Sequence, residues 1–305
     1  MSKISYITKR FSKKSINIIE ISNKIINEYQ EQGYDLTVRQ LYYQMVAKDF
    51  IENSEKSYRR MSSIISDARM SGLVDWMAIV DRTRNVRNNN HFNSPEDIIS
   101  VCENQFMLDH WKNQTYRPEV WIEKDALVGV ISGICSKLDV PYFSCRGYNS
   151  QSEMWSAGQR MIKNIINGHV PFIIHLGDHD PSGIDMTRDI IDRLELFTNG
   201  KKNVDFELSR IALNYNQVLK YNPPPNPAKI SDSRIENYIS QYSSSSWELD
   251  ALNPAVIEKL IEDQLSEIID LKNWDKTNLL EKQDRELLGL VSEKWDKVEN
   301  FLKSD

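Results

Sequence analysis

Two aspartates one residue apart, Asp178 and Asp180, close an apolar run and open a tight turn: Asp178-His179-Asp180-Pro181-Ser182-Gly183. Carboxylates at that spacing form a hard, oxygen-rich pair of the kind Mg2+ prefers, with water completing its shell. Taken alone, such a triplet is equally a solvated turn. A third carboxylate shifts the weighting, because Glu123 closes another short apolar run, Val120-Trp121-Ile122. Three like charges at one edge repel, and a cation among them removes the repulsion. One histidine, His179, with two aspartates and no cysteine nearby does not make a zinc set. The other chemistry-bearing stretch is Thr37-Val38-Arg39-Gln40-Leu41-Tyr42-Tyr43. On a helix, Val38, Leu41, Tyr42, Met45 and Val46 share one face, while Arg39 and Tyr43 fall together on its flank. Tyr42 is then the packing tyrosine. Tyr43 has a hydroxyl beside a guanidinium, which favours phenolate and can hold a phosphate; an interface tyrosine turned to water is the plainer reading.

These residues need particular elements to position them. The run Val170–Leu176 predicts a fully buried strand that stops at Gly177, with an amphipathic helix beginning at Ile184. Residues 120–122 predict a second strand, followed by a helix over 126–138. In a parallel sheet with such strand-turn-helix units, ligands bind at the carboxyl ends of the strands. Upstream, residues 12–30 predict an amphipathic helix ended by Gly33. Thr37 is an N-cap for a helix over 38–49, and Ser54 or Ser57 starts another that runs to Gly72. Residues 74–80 predict a strand, and Asp81-Arg82-Thr83-Arg84-Asn85 a polar turn. Helix, helix, strand and basic turn suggest a winged helix. Its second helix, bearing Arg59, Arg60 and Arg69, would enter the major groove, and Arg82 and Arg84 would lie on the backbone. Further on, the patterns predict a helix over 95–111, a strand over 206–212 and a proline-rich surface excursion over 221–227. A strand over 247–252 with two acids on one face and a charged helical tail complete the chain. The divisions expected are an N-terminal helix and winged-helix domain over 1–95, a linker and helix over 96–115, and an α/β domain with a helical extension over 116–305.

The chain has 305 residues, with 38 Lys+Arg against 44 Asp+Glu. The net charge of −6 alone argues against nucleic acid, but the charge is unevenly placed. Residues 1–95 hold 15 basic and 10 acidic side chains, and the remainder holds 23 and 34. A basic N-terminal part joined to an acidic remainder fits a DNA-binding module. No run approaches the roughly 18 apolar residues that a membrane helix needs. Met1-Ser2-Lys3-Ile4-Ser5 lacks the apolar core of a secretory signal. Cys102, Cys135 and Cys145 have no metal-ligand spacing, so a reduced cytoplasmic protein is expected.

With both motifs in hand, the chain resembles the topoisomerase VI A-subunit family, which includes the meiotic double-strand-break transesterase. The set Glu123…Asp178-His179-Asp180-Pro181-Ser182-Gly183 on alternating strands and helices is similar to the Toprim domain shared by topoisomerases, primases and some nucleases. Arg39-Gln40-Leu41-Tyr42-Tyr43 is similar to the family's Arg-x-x-aromatic-Tyr motif, and Arg146-Gly147-Tyr148 to the loop after the second Toprim strand. The likeness covers most of residues 35–255 and is nearest the short stand-alone A-type proteins of bacteria and phages. It implies an α/β fold, with a winged-helix domain followed by a Toprim (parallel-sheet, Rossmann-like) domain and C-terminal helices. It further implies Mg2+-dependent double-strand cleavage through a 5′-phosphotyrosyl link. Tyr43 would be the nucleophile, Arg39 would orient it, and Glu123, Asp178 and Asp180 would hold Mg2+. Double-stranded DNA would be contacted by Arg59, Arg60, Arg69, Arg82, Arg84, Lys124 and Arg146. A homodimer is implied, because the family's tyrosine works with the metal of the other subunit, and a B-type ATPase subunit is a possible partner. The alternatives are a Toprim nuclease in which water attacks, and a catalytically idle DNA-binding protein.

Overall fold

A computed structural model describes residues 3–80, 89–198, 206–227 and 232–304 of the chain. The N-terminal part is built from three helices: α1 (Lys13–Gln30), α2 (Val38–Ala47) and α3 (Glu55–Met70). Each starts at a side-chain cap, Ser12, Thr37 and Ser54 respectively. At α2 the cap is reciprocal: Thr37 accepts from the Gln40 amide and Gln40 accepts from the Thr37 amide, so two orphan donors are satisfied. Gly33 then takes a positive φ of 86°, which is why the turn after α1 carries glycine. The three helices enclose a core of Ile19, Ile25, Ile26, Leu41, Met45, Met61 and Ile65, and Ala251 from far down the chain completes it.

The strand expected over 74–80 does not form. Leu36 and Ile79 make one isolated parallel bridge, and the rest of the segment is bends. Arg69 explains why: its guanidinium donates to the carbonyls of Trp76 (2.8 Å) and Ile79 (3.3 Å) and lies over the Trp76 ring. Those carbonyls are satisfied by a side chain rather than by a neighbouring strand. Arg69, expected in the major groove, is thus engaged with its own backbone in this structure. Arg82 and Arg84 lie outside the described residues.

After α4 (Pro95–Gln105), which stops six residues short of the expected 111, comes a mixed α/β unit. Its elements are β1 (Tyr116–Ile122), α5 (Val128–Lys137), β2 (Tyr142–Ser144), α6 (Gln151–Ile166), β3 (Val170–Leu176), α7 (Pro181–Thr198) and β4 (Glu207–Ala212). The strands form one parallel sheet in the order β2-β1-β3-β4. Alternation along the strands gives the sheet two buried faces. Val120, Ile122, Phe172, Ile174 and Leu176 face Val130, Ile131 and Ile134 of α5 together with Ile257 and Ile261. Trp121 and Ile173 face Met154 and Met161 of α6 and Ile190 and Leu194 of α7.

The remaining elements are α8 (Tyr215–Tyr221), β5 (Asn226–Pro227), α9 (Ile235–Gln241), β6 (Ser245–Ser246), α10 (Pro254–Ser266), α11 (Leu271–Glu293) and α12 (Trp295–Leu302). The short strands β5 and β6 pair antiparallel, and α11 packs against α4. The strand expected over 247–252 is instead a single bridge, His179 with Trp247, followed by a 3-10 turn at Leu249–Ala251. None of the described helices is long and apolar enough to cross a membrane.

Candidate active site

From β1 the chain leaves to one side to form β2, and β3 then returns to the other side of β1. The carboxyl ends of β1 and β3 therefore flank the point where strand order reverses, the crevice that open α/β sheets use for ligands. The register pairs Ile122 with Leu176, so Glu123 and Asp178 emerge side by side. Glu123 Oε2 accepts from the Asp178 amide at 2.7 Å. Gly177 leaves room for this: a Cβ there would stand 3.0 Å from Glu123 Oε2 and 3.1 Å from Arg210 Nη1. Asp180 caps α7, its Oδ1 accepting from the Gly183 amide at 2.6 Å. A Cβ at Gly183 would collide with the Asp178 carbonyl oxygen, so the turn requires glycine.

Asp178 is buried, with Oδ1 accepting from the Leu249 amide at 2.7 Å and Oδ2 3.0 Å from Lys124 Nζ. Burial pushes its carboxyl up to about 8 despite the opposing lysine, with Glu123 and Asp250 adding to the rise. Burial likewise raises Glu123, against the Asp178 amide and Lys124, with Asp180 raising it further. Lys124, expected on the DNA surface, is taken up by acids: Glu248 at 2.6 Å, Asp178 at 3.0 Å and Asp250 at 3.1 Å. Burial works against its charge, but Asp250, Asp178 and Glu248 outweigh burial and raise its pKa.

The same two acids, Glu248 and Asp250, reach across to α2. Arg39 pairs with Glu248 through Nη2 and with Asp250 through Nε at 3.1 Å, while Nη2 lies 3.5 Å from the Tyr43 hydroxyl. On Glu248, burial raises the pKa, but Lys124 and Arg39 overcome it and hold the carboxyl at about 2. The Arg39 guanidinium favours phenolate at Tyr43, as expected, but it is outweighed. Burial raises that pKa, Glu248 and Asp250 raise it further, and Arg39 only partly opposes them. Both tyrosines are buried. The expected division into a packed Tyr42 and a flank Tyr43 does not hold, because both lie in the same core; the Tyr42 hydroxyl accepts from the Ser54 amide at 2.8 Å and its ring is edge-on to Tyr43 and Tyr58.

Two groups lie beneath the site, and of these Arg210 was not expected. Arg210 on β4 is half-buried and donates to the carbonyls of Asp178 (2.7 Å), Gly183 (3.0 Å) and Gly177 (3.1 Å), fastening the aspartate turn from below. His179 turns away from the carboxylates into a box of Tyr215, Tyr238, Tyr242 and Trp247, with Nδ1 2.6 Å from the Tyr238 hydroxyl. Burial, then Arg210, lowers its pKa to about 4, so it stays neutral. Glu248 and Asp250 did carry a signal, as the two acids after Trp247. Nothing in a linear pattern marks Arg210.

Of the expected metal ligands, the structure brings Glu123 and Asp178 together and turns Asp180 to the start of α7. Among the described residues, no three His, Cys, Asp or Glu side chains stand at metal-binding spacing. In this arrangement Lys124 stands 3.0 Å from Asp178 Oδ2. The donor chemistry nevertheless fits a hard divalent cation. Five carboxylates (Glu123, Asp178, Asp180, Glu248, Asp250) share this edge with three cations (Lys124, Arg39, Arg210). Carboxylate oxygens are the donors that such an ion prefers. Of the expected DNA contacts, Arg59 and Arg60 are exposed on α3, and Arg59 pairs with Glu55 one turn away. Arg146 is exposed in the loop after β2 and pairs with Asp125. Arg39, Tyr43, Asp178, Asp180, Asn226 and Glu248 all line one open cavity of about 630 Å3.

These features define a mixed α/β protein with a carboxylate-rich crevice at the switch point of a four-strand parallel sheet. No family model matches the chain, and no curated protein is similar to it.

Proposed function

We propose that this protein cleaves double-stranded DNA by tyrosine transesterification, in the manner of a type IIB topoisomerase A subunit, with a winged-helix-like N-terminal part and a Toprim-like α/β part. The observation that carries the reading is the shared cavity, with a tyrosine and an arginine on one wall and two strand-end aspartates on the other. Glu123, Asp178 and Asp180 would hold Mg2+, which supplies charge neutralisation at a phosphodiester. Tyr43 contributes the attacking hydroxyl. Arg39, once a phosphate competes for it with Glu248 and Asp250, holds the phosphate oxygens in a bidentate fork. Arg59, Arg60 and Arg146 are exposed cations suited to the DNA backbone. A homodimer would present one such site to each strand, and an ATPase subunit would be needed for strand passage.

The test is to incubate protein with labelled duplex DNA and Mg2+, denature rapidly, and look for label that remains on protein. The parent protein should retain label, and Tyr43→Phe should retain none. One observation favours a second reading, a nuclease in which water attacks: Tyr43 is buried and its hydroxyl is held in the protonated form. Cutting that survives Tyr43→Phe, with no adduct from the parent, would establish that reading instead.

A further inference from the structure

The turn that carries Asp178 and Asp180 is held from behind by a short chain of polar groups. Arg210 spans both ends of that turn: Nη2 donates to the carbonyls of Gly177 and Asp178, and Nη1 to the carbonyl of Gly183 in the first turn of α7. Nη1 also donates to Thr187 Oγ1 of α7 at 2.8 Å. Thr187 Oγ1 in turn lies 2.9 Å from Nδ1 of His175, the residue that stands opposite Arg210 in the pairing of β3 with β4. The Cβ position at Gly177 is 3.1 Å from Arg210 Nη1, 3.0 Å from Glu123 Oε2 and 3.4 Å from His175 Cε1, so the same chain reaches under the third carboxylate. His175 is wholly buried on the sheet face that carries Trp121 and Ile173, and among the described residues its Nε2 has no partner. A buried nitrogen without a partner is costly, so packing alone does not account for a histidine there. Burial, then Arg210, lowers its pKa to about 3, which keeps the ring neutral.

We infer that His175 and Thr187 are positioning residues of the carboxylate site. A guanidinium can only donate, so Thr187 Oγ1 accepts from Arg210 and turns its own hydrogen to His175 Nδ1. A neutral imidazole whose Nδ1 accepts carries its proton on Nε2. The histidine thus fixes the hydroxyl, the hydroxyl fixes the arginine, and the arginine fixes the turn from which Asp178 and Asp180 reach a cation. The role rests on the reading of Glu123, Asp178 and Asp180 as Mg2+ ligands, and it is the same whether a tyrosine or water then attacks. Groups that orient metal ligands without touching the metal are worth about 10- to 100-fold in affinity.

The test has two arms, both on the full chain without DNA. The first is nitrogen NMR of protein carrying isotope-labelled histidine, with the His175 ring assigned by its loss in His175→Leu, or by its response to Thr187→Val if that variant does not fold. Nε2 should be protonated and Nδ1 bare, and the Nδ1 resonance should move in Thr187→Val and return in Thr187→Ser. A proton on Nδ1, or an Nδ1 indifferent to Thr187→Val, overturns the inference. The second arm is Mg2+ calorimetry alongside urea unfolding, with Thr187→Ala in place of Thr187→Val if the latter does not fold. Thr187→Val should bind Mg2+ about tenfold more weakly than the parent protein, and Thr187→Ser, which keeps the hydroxyl, within about twofold of it. Parental affinity in Thr187→Val, even with stability lost, would make the threonine merely structural and overturn the inference while the metal reading stands. A parent protein that takes up no Mg2+ overturns the metal reading, and the positioning role with it.

Discussion

Adjacent tyrosines in α2 have different chemistry because of what their hydroxyls touch. Tyr42 accepts the Ser54 amide inside a cluster of aromatic rings. Tyr42→Phe leaves that amide without its partner, so it should lower stability by about 1–2 kcal/mol, measured by urea unfolding, and on the proposed reading it should leave the protein–DNA adduct in place. Glu248 gives a pH signature. Its folded pKa of about 2 lies below the usual carboxylate value of 4.5, so its contribution is complete above about pH 4.5 and is lost as pH falls toward 2. Glu248→Gln should cost on the order of 2 kcal/mol at pH 7, after discounting for its partial exposure. The gap to the parent protein should narrow in unfolding experiments below pH 4.5. A gap that is unchanged down to pH 3 would mean that the ion pairs with Lys124 and Arg39 contribute nothing.

At the level of elements, what could be read from the sequence was what has a local cause. The helix α2 was legible because a cap at Thr37 and its reciprocal Gln40 lie three residues apart. The strand β3 was legible because a buried strand reads as a continuous apolar run ended by Gly177. The segment over 247–252 was not, because its alternating acids answer to Lys124 and Arg39, which lie more than 120 residues away, and not to a neighbouring strand. Arg69 misled for a related reason: an arginine on a helix looks the same in sequence whether it meets phosphate or the carbonyls of Trp76 and Ile79. The carboxylates of the site were legible by type and strand position, but the lysine among them was not. The aspartate turn itself depends on a missing atom. Gly183→Ala would drive a methyl into the Asp178 carbonyl, so the turn or the start of α7 must shift. The expected cost is about 1–3 kcal/mol, as for overpacking, with Mg2+ affinity measured by calorimetry falling alongside stability.

For the whole molecule, the proposed reading turns on which cations are exposed to a duplex. Arg59 and Arg60 on α3 are exposed, whereas Arg69 and Lys124 are engaged internally. Replacing Arg59 and Arg60 together by Ala should weaken duplex binding and reduce the slope of log affinity against log salt by roughly one for each phosphate no longer neutralised. Replacing Arg69 should instead show up as reduced stability. Binding that is indifferent to Arg59 and Arg60 would place the duplex on another face.

The burial of Ala251 among the N-terminal helices has a consequence for biosynthesis. The first seventy residues contain three well-capped helices but not the last piece of their own core, and Asp178 waits for the Leu249 amide in the same way. While the chain is being made, both halves therefore stay unsealed until residue 251 has left the ribosome. A nascent chain stalled before that point should be open to proteases in both halves, and the α/β half should close only once Ile257 and Ile261 of α10 have also emerged to cover the sheet.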